Sequence, residues 1–299
     1  DDEVGEKFAD AWGERPPEEP GLKVPEMLAE AHAGNLRGMY VVGENPALSE
    51  PDIQHAAEAL EDMEFLVVQD IFMTETADYA DVVLPAATSP EKHGTFTNTE
   101  RRIQRVRPTS EPPGEARQDW EITQALARRL GYDWDYDHPR EVMDEINSLA
   151  PIYGGVTYDR LESGEEHGLQ WPCWDEDHEG TPYLYDYDEG NFNFEDGKAR
   201  FVPADGGHPG EIPDEEYPLT LTSGRVLYHW HTGQITRRVE GLMSHVGESF
   251  VEVHPETAEK LGIADGEYVR VESRRGDIVV KAQVTERVGP GTLFIPMHF

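Results

Sequence analysis

The stretch GMYVVGENPALSEPDIQHAAEALEDMEFLVVQD, residues 38–70, decides the fold class. Both of its ends are short and almost wholly apolar, as buried strands are. Between them Ile53, Ala57 and Leu60 recur at helical spacing, which predicts an amphipathic helix. A strand, a helix and a second strand in this order predict a unit whose two strands run parallel.

A third apolar run, DVVLP at residues 81–85, follows after a short polar interval, and a helix is predicted from Pro25 to Ala33. Near-continuous apolar strands separated by helices are typical of a parallel sheet that helices cover on both faces. The predicted fold class is therefore α/β, either a doubly wound sheet or half of one.

The composition changes twice along the chain. Residues 1–150 carry the α/β pattern, whereas residues 151–213 are dominated by Asp, Glu, Gly and Tyr and show weak periodicity. This middle segment is predicted to be an acidic linker or surface excursion. Residues 214–299 hold short strand patterns divided by turns such as ADG, RRGD and GPG, which predict a small closed β-barrel.

The charge of the chain argues against two classes of partner. The formal net charge is −36, from 25 Lys and Arg against 61 Asp and Glu. Such a surface repels nucleic acid and anionic membranes. The strand-like runs argue against disorder, so we expect a folded protein with an acid-coated surface, as in a salt-loving organism.

Cys173 is the single cysteine, so neither a disulfide nor a cysteine-ligated cluster can form within this chain. No apolar run reaches the ~20 residues that a membrane helix needs, and no signal-peptide pattern is visible. We therefore predict a soluble, cytoplasmic protein. The chain begins at Asp1 without a methionine, and we expect truncation or processing.

Polar residues follow the first two predicted strands, where an open α/β sheet binds its ligands. Gly43, Asn45 and Ser49 follow the first strand and suit close backbone approach and hydrogen bonding, although an ordinary turn explains them too. Gln69 and Asp70 end the second strand, and Asp70 can accept two N–H groups from a guanine-like edge or cap the next turn.

The third strand leads into SPEKHGTFTNTERRIQRV, residues 89–106, which we predict to be a polar ligand-binding loop. Thr97 and Asn98 lie in its set of neutral hydrogen-bonding groups. The charged residues 100–102 after them fit either a solvated cluster or an anion site.

A second candidate site lies in TSGRVLYHWHTGQITRR, residues 222–238. On a strand, His229 and His231 would point to one face and could bind a metal. Together with Arg225 and Trp230 they suit a flat, hydrogen-bonding heterocycle equally well. The single histidines elsewhere, including His298, are expected to be structural, and Cys173 is expected to be a packed residue.

These loops carry a family resemblance. The motifs YVVGENPALSEPD, FLVVQDIFMTETADYADVVLPAATSPEKHGTFTNTERRIQRV and YPLTLTSGRVLYHWHTGQITRR resemble the C-terminal part of the catalytic (alpha) subunit of molybdenum-dependent formate dehydrogenases. Those enzymes are molybdopterin oxidoreductases. The resemblance spans nearly the whole chain from about Gly38 and is weakest in the acidic segment.

The resemblance implies a dinucleotide-binding domain for the α/β part and a β-barrel of the double-psi type, truncated at its C-terminus, for the end. It implies bis(molybdopterin guanine dinucleotide) with molybdenum or tungsten as the cofactor. The residues expected to bind this cofactor are Gly43, Glu44, Asn45, Ser49, Gln69, Asp70, Thr97, Asn98, Arg225, Val226, Leu227, His229, Trp230 and His231.

The departures from the family define what is missing. The iron–sulfur cluster region, the Cys or selenocysteine on the metal, the catalytic His and the catalytic Arg have no counterpart here, and Cys173 cannot replace them. The resemblance thus implies a fragment without catalytic residues, inactive by itself, whose partners are the N-terminal remainder and iron–sulfur or flavin subunits. The alternatives are the same part of a nitrate reductase or of a respiratory NADH dehydrogenase, or a non-catalytic scaffold chain.

Overall fold

A computed structural model describes residues 2–163, 167–186, 189–204, 206–207 and 209–299. The chain divides into two compact units, Asp1–Phe201 and Val202–Phe299. The gaps between the described ranges all fall inside the segment predicted to be an acidic linker. Among the described residues, no helix is both long and apolar enough to cross a membrane.

The first unit contains seven α-helices and eight strands among its described residues. Its helices are α1 Asp2–Trp12, α2 Val24–His32, α3 Pro46–Ser49, α4 Ile53–Glu61, α5 Asp119–Arg129, α6 Pro139–Leu149 and α7 Tyr158–Glu162. Its strands are β1 Gly38–Val42, β2 Phe65–Asp70, β3 Val82–Pro85, β4 Gly94–Thr97, β5 Arg102–Val106, β6 Leu169–Gln170, β7 Tyr185–Asp186 and β8 Asn191–Phe192.

The strands β1, β2 and β3 form a parallel sheet in that order, as the sequence predicted. Val41 lies opposite Val68, and Gln69 lies opposite Leu84. One face of the sheet packs on a core that contains Val41, Leu66 and Val68, while α2 and α4 share a second small core. Right-handed connections from β1 to β2 and from β2 to β3 both run over the same face of the sheet. Neither connection covers the other face.

The uncovered face corrects the expectation that helices cover both sides. Tyr40, Val42, Phe65 and Val82 point away from the core and are exposed. In β1 and β2 the exposed residues alternate with buried Val41 and Leu66, as the two-residue period of a strand requires. Within the described residues, the part of this face that carries these four side chains therefore has no covering layer, whereas Gln69 at its carboxyl edge is buried beside Asp119 of α5.

The segment predicted to be a ligand-binding loop is instead a β-hairpin. Strands β4 and β5 pair antiparallel, and β5 also pairs with β6. Residues from α6, α7 and the beginning of the predicted linker pack against β5 in one core, with Ile103, Tyr158 and Cys173 fully or nearly buried. Part of the predicted linker therefore belongs to a packed region, and Cys173 is a core residue, as expected.

The side chain of Arg105 is the most buried charge in this region, at 3% exposure. Its guanidinium stacks over the Tyr158 ring at 4.1 Å and pairs with Glu162 at 3.1 Å. It also donates to the Gly94 carbonyl at 2.6 Å. These contacts satisfy the cation, which would otherwise be too costly to bury.

The second unit is built on one mixed sheet. Its helices are α8 Glu240–Met243 and α9 Pro255–Leu261, and its strands are β9 Thr220–Gly224, β10 Phe250–Val253, β11 Tyr268–Ser273, β12 Gly276–Val284 and β13 Thr292–Pro296. The strand order is β11-β12-β10-β13-β9, with β9 parallel to β13 and β10 parallel to β12. The predicted closed barrel is not confirmed, because β11 and β9 stay at opposite ends of the sheet.

The two faces of β2 can be separated by experiment. Leu66 is 1% exposed in the core, whereas its neighbour Phe65 is 52% exposed on the uncovered face. We expect Leu66→Ala to lower the free energy of unfolding by about 2–5 kcal/mol, because it leaves a cavity. Phe65→Ala is the matched control and should lower it by much less. Urea denaturation at fixed salt measures both, and equal losses would show that the sheet faces are assigned wrongly.

Candidate functional site

The first candidate site lies at the carboxyl edge of the parallel sheet, where the chain leaves β1 and β2. Gly43 has a positive φ of 64°, which glycine adopts without strain, and an added Cβ would meet nothing within 4 Å. Its N–H donates to the Gln69 carbonyl at 2.9 Å, so the two strand ends are joined. The backbone at Gly43 is thus held firmly and is open on its outer side.

Asn45 faces inward rather than toward this open side. Its side chain is 1% exposed, and its Oδ1 accepts from the Thr76 N–H at 3.0 Å and from the Thr76 hydroxyl at 2.7 Å. Its Nδ2 donates to Glu75 at 2.7 Å. Asn45 therefore ties the loop after β1 to the loop after β2, and its hydrogen-bonding groups are engaged inside the chain.

Gln69 is also occupied by neighbours. Its Oε1 accepts from the Tyr40 hydroxyl, and its Nε2 donates to Asp119 at 2.8 Å. Lys92 pairs with the same carboxylate at 2.6 Å. Burial, and then the negative charge of Asp119, raises the pKa of Tyr40. Gln69 thus links the sheet to the start of α5.

Asp70 ends β2 at this edge and is nearly buried, at 6% exposure. Its Oδ1 accepts from the Phe72 N–H at 3.2 Å, and its backbone carbonyl accepts from Ala86 at 3.0 Å. Glu44 and Ser49 lie on the exposed side of the same edge. The strand ends therefore bring Gly43, Glu44, Ser49 and Asp70 to one edge of the sheet.

Thr97 and Asn98 belong to the hairpin instead. Asn98 Oδ1 accepts from the N–H groups of Glu100 and Arg102 at 3.1 and 2.9 Å, which shapes the turn between β4 and β5. Thr97 is exposed at the end of β4. The structure thus places both residues at a turn of the hairpin, and their assignment to a ligand stays a prediction.

The arginines beside this turn bind the protein itself. Arg101 has a positive φ of 65° and donates to the carbonyls of Trp171 and Thr181. Arg102 pairs with Glu100 at 2.7 Å and donates to the Gly168 carbonyl at 3.3 Å. They fasten the hairpin to the segment after it, so neither a solvated cluster nor an anion site describes them.

The second candidate site is the loop between β9 and α8. His229 is buried there, with Nδ1 3.1 Å from the Thr236 hydroxyl and Nε2 2.7 Å from the Val246 carbonyl. Because Val246 can only accept, His229 carries its proton on Nε2 and receives the Thr236 hydroxyl at Nδ1. Both ring nitrogens are engaged, so His229 holds the loop in shape.

The exposed part of this loop is cationic and apolar. Leu227 and Trp230 are exposed, and the Arg225 guanidinium lies 5.6 Å from the centre of the Trp230 ring. The Val226 N–H donates to Nε2 of His298 at 2.9 Å. The sequence from Tyr217 to Val239 contains no Asp or Glu, although these make up 61 of the 299 residues.

The alternative of a metal pair is not supported. His229 and His231 lie in a turn rather than on a strand, and His231 has a positive φ of 48°. Across the described ranges, no group of three or more His, Cys, Asp or Glu side chains could hold a metal ion. The loop suits a heterocycle better than an ion coordinated by this chain.

Comparison with known proteins assigns both regions. Residues 12–129 match the family model described as molybdopterin oxidoreductase, and residues 219–299 match the molydopterin dinucleotide binding domain. The chain carries two domains of the molybdopterin oxidoreductase family. The two candidate sites lie within these two matches, one in each, and the predicted class of cofactor is confirmed.

Curated relatives extend the similarity to nearly the whole chain. The chain is 46% identical over 281 residues to the F420-dependent formate dehydrogenase subunit alpha of Methanocaldococcus jannaschii, covering 93% of this chain and 41% of that protein. It is 45% identical over 296 residues to the F420-dependent formate dehydrogenase 1 subunit alpha of Methanococcus maripaludis, covering 98% and 43%. A probable oxidoreductase of Bacillus subtilis is 44% identical over 298 residues. The chain thus spans less than half the length of these relatives.

A solved structure supports the fold. Acetylene hydratase from Pelobacter acetylenicus matches with a TM-score of 0.68 at 21% identity, over 91% of this chain and 39% of that protein. At this identity the likeness concerns the fold alone.

The molybdopterin dinucleotide is an anionic, heterocyclic ligand, and the residues present fit it. The acid-free loop of the second unit offers the Arg225 guanidinium to an anion and the Trp230 ring to a flat group. In the first unit, the open Gly43 backbone admits close approach and the Asp70 carboxylate can accept N–H groups. A cationic surface and hydrogen-bonding strand ends are the groups that an anionic, heterocyclic ligand requires.

Sequence reasoning missed the residues that hold these loops. Thr76 and Glu75 engage Asn45, Asp119 engages Gln69, and His298 engages the loop of the second unit. Each acts across many residues of sequence. Only His298 gave a signal, since a lone histidine among apolar residues was expected to be structural.

The inward role of Asn45 leads to a test. Asn45→Ala leaves the buried Thr76 N–H without its acceptor, so we expect a loss of about 1–3 kcal/mol in the free energy of unfolding. Ser49→Ala, on the exposed side of the same edge, should leave stability nearly unchanged. Urea denaturation of the cofactor-free chain measures both, and a fully stable Asn45→Ala variant would favour a direct cofactor contact instead.

Proposed function

We propose that this chain is the C-terminal, cofactor-binding part of a formate dehydrogenase alpha subunit. The reaction of the whole protein is the two-electron oxidation of formate to carbon dioxide at molybdenum or tungsten, held by bis(molybdopterin guanine dinucleotide). This chain supplies no catalytic residue. Its task is to bind and orient the cofactor, and it is inactive by itself.

The observation that supports this proposal most is a sequence identity of 42–46%, over 93–100% of this chain, to proteins named as formate dehydrogenase alpha subunits and to a putative formate dehydrogenase. Those names favour formate over nitrate as the substrate. The cationic, acid-free loop of the second unit favours cofactor binding over a scaffold role, because a scaffold in so acidic a protein has no need to exclude carboxylates there.

At the sheet edge, Asp70 accepts N–H groups of a guanine base, and Gly43 lets the nucleotide approach the backbone. Ser49 and Glu44 lie on the exposed side and complete the polar surface. Asn45 and Gln69 act indirectly in this scheme, because their amides hold the strand ends together.

In the second unit, Arg225 provides a fork of donors to anionic groups, and Trp230 and His231 present rings to the pterin. Leu227 covers apolar parts of the ligand. Val226 and His229 shape the loop from inside. When bound, the cofactor supplies the metal centre that takes up the two electrons of formate.

The proposal includes finer features. The mixed sheet of the second unit closes into a double-psi barrel in the whole protein, and this barrel domain begins near residue 214. The preceding part of the polypeptide carries the iron–sulfur cluster and the residues that act on formate. Iron–sulfur or flavin subunits take up the electrons in the cytoplasm of a salt-loving organism.

The test begins with the protein purified from its own organism. Its intact mass, its content of molybdenum, tungsten and iron, and the guanine nucleotide released by acid are measured in one sample. We expect a longer chain with metal, iron and two guanine nucleotides for each molybdenum or tungsten ion, and formate-dependent reduction of an artificial acceptor. A metal-free chain that does not respond to formate would leave only the scaffold alternative.

The guanine contact is tested in the same protein. Asp70→Ala removes charged hydrogen bonds of about 1.5–3 kcal/mol, so the guanine nucleotide should dissociate at least tenfold faster. Asp78→Ala, an exposed carboxylate in the same connection, is the control and should retain the nucleotide. Unchanged nucleotide release from Asp70→Ala would remove Asp70 from the site.

A further inference from the structure

His298 lies beside the loop of the second unit without facing solvent. It follows β13, and β13 runs parallel to β9, so Pro296 lies opposite Gly224. The chain after β9 and the chain after β13 therefore leave the sheet side by side. The Met297 N–H donates to the Gly224 carbonyl at 2.9 Å, which extends the pairing up to His298.

The His298 ring bridges two points of the loop. Its Nε2 accepts from the Val226 N–H at 2.9 Å, and its Nδ1 contacts the His231 carbonyl. The ring is fully buried, at 0% exposure. These two bonds enclose the exposed residues Leu227 and Trp230, which are the part of the loop offered to a ligand.

The partners fix the protonation state of the ring. The Val226 N–H can only donate, so Nε2 must be unprotonated, and the His231 carbonyl can only accept, so Nδ1 must carry the proton. In a doubly protonated ring Nε2 could no longer accept from Val226, and its own N–H would face the Val226 N–H. Only the neutral Nδ1–H tautomer makes both bonds.

Other contacts hold this segment as well. His229, which lies inside it, is anchored through Thr236 and Val246, and the Trp230 N–H donates to the Thr236 hydroxyl at 3.2 Å. Gly233 has a φ of 80°, and a Cβ there would lie 2.9 Å from the His298 carbonyl, so the turn packs directly on the His298 backbone. Between Val226 and His231, the His298 ring is the bridge that spans the exposed segment.

We propose that His298 is a positioning residue, whose neutral ring clamps Val226 to His231 and holds the exposed segment in the conformation that receives the pterin. This rests on the proposed function of the loop. His298 does not touch the cofactor in this scheme. It acts through the backbone of the residues that do.

The clamp depends on pH, because it requires the neutral form of His298. Burial lowers the pKa of His298 from its ordinary value of 6.5, the bond to the His231 carbonyl opposes this, and the neighbouring side chains of His229, Arg225 and His231 lower it further. A group with a lowered folded pKa contributes stability above its unfolded pKa and loses it as pH falls. The clamp is therefore complete at pH 6.5 and opens only as pH falls through the lowered pKa of the folded state.

Hydrogen exchange of the purified protein tests the clamp without any activity assay. The observable is the protection of the Val226 amide, corrected for the intrinsic effect of pH on exchange. A lost hydrogen bond of about 1 kcal/mol corresponds to roughly fivefold less protection. We expect at least this loss in His298→Phe, which keeps an aromatic ring but has neither bond.

Two conservative variants separate the two bonds. In His298→Gln the amide oxygen lies near the position of Nε2, so it can accept from Val226 and should restore the protection of that amide. Because glutamine does not titrate, the protection of the Val226 amide in this variant should no longer fall as pH is lowered through the pKa of His298. In His298→Asn the amide lies nearer Nδ1, so the bond to His231 is kept and Val226 stays unprotected. Far-ultraviolet circular dichroism confirms that each variant is folded.

The outcomes separate the clamp from the function of the loop. Full protection of Val226 in His298→Phe, or the same pH dependence in His298→Gln as in the unchanged protein, would overturn the clamp. Loss of protection together with at least fivefold faster loss of cofactor supports the whole proposal. Loss of protection with cofactor retention unchanged would overturn the positioning role, and would show that the clamped loop does not receive the pterin even if formate is still oxidised.

Discussion

Parallel pairing of neighbouring strands is the constraint on which both candidate sites depend. In a parallel pair the carboxyl ends lie at the same edge, so the segments that follow them are brought together whatever their separation in sequence. In the first unit this places the loops after β1 and β2 side by side, and Asn45 joins them through Thr76. In the second unit it places the loop after β9 beside His298 after β13. In both units an exposed segment of the candidate site is held by a buried polar bridge.

The sequence predicted the strands of the first sheet well, because their cores of branched apolar residues are local signals. The predicted strand at residues 65–70 coincides with β2. It did not predict the hairpin of β4 and β5, since a turn such as the one that Asn98 shapes and a ligand-binding loop use the same residue types. It also could not tell that the amides of Asn45 and Gln69 are engaged, because their partners are brought near only by folding. Nor could the sequence decide whether the second unit forms a closed barrel, since strand spacing predicts strands but not whether a sheet closes.

The arginines of this acidic chain lie in two kinds of environment. Arg101 and Arg105 bind backbone carbonyls and aromatic rings inside the first unit, where solvent competes little for them. Arg225 remains on an exposed loop from which carboxylates are excluded over Tyr217–Val239. A low density of positive charge is thus compatible with binding an anion, provided that the surrounding negative charges are kept away from the site.

The uncovered sheet face carries a consequence for how copies of this chain behave in solution. An apolar surface on this face is formed by Tyr40, Val42, Phe65 and Val82. Such surfaces on two molecules tend to associate with each other. A net charge of −36 opposes such contact by mutual repulsion. The range of this repulsion shrinks from about 8 Å at physiological ionic strength to about 3 Å at 1 M salt. The colloidal state of the isolated chain is therefore governed by ionic strength, with dispersed molecules in dilute buffer and cohesion through this face in brine.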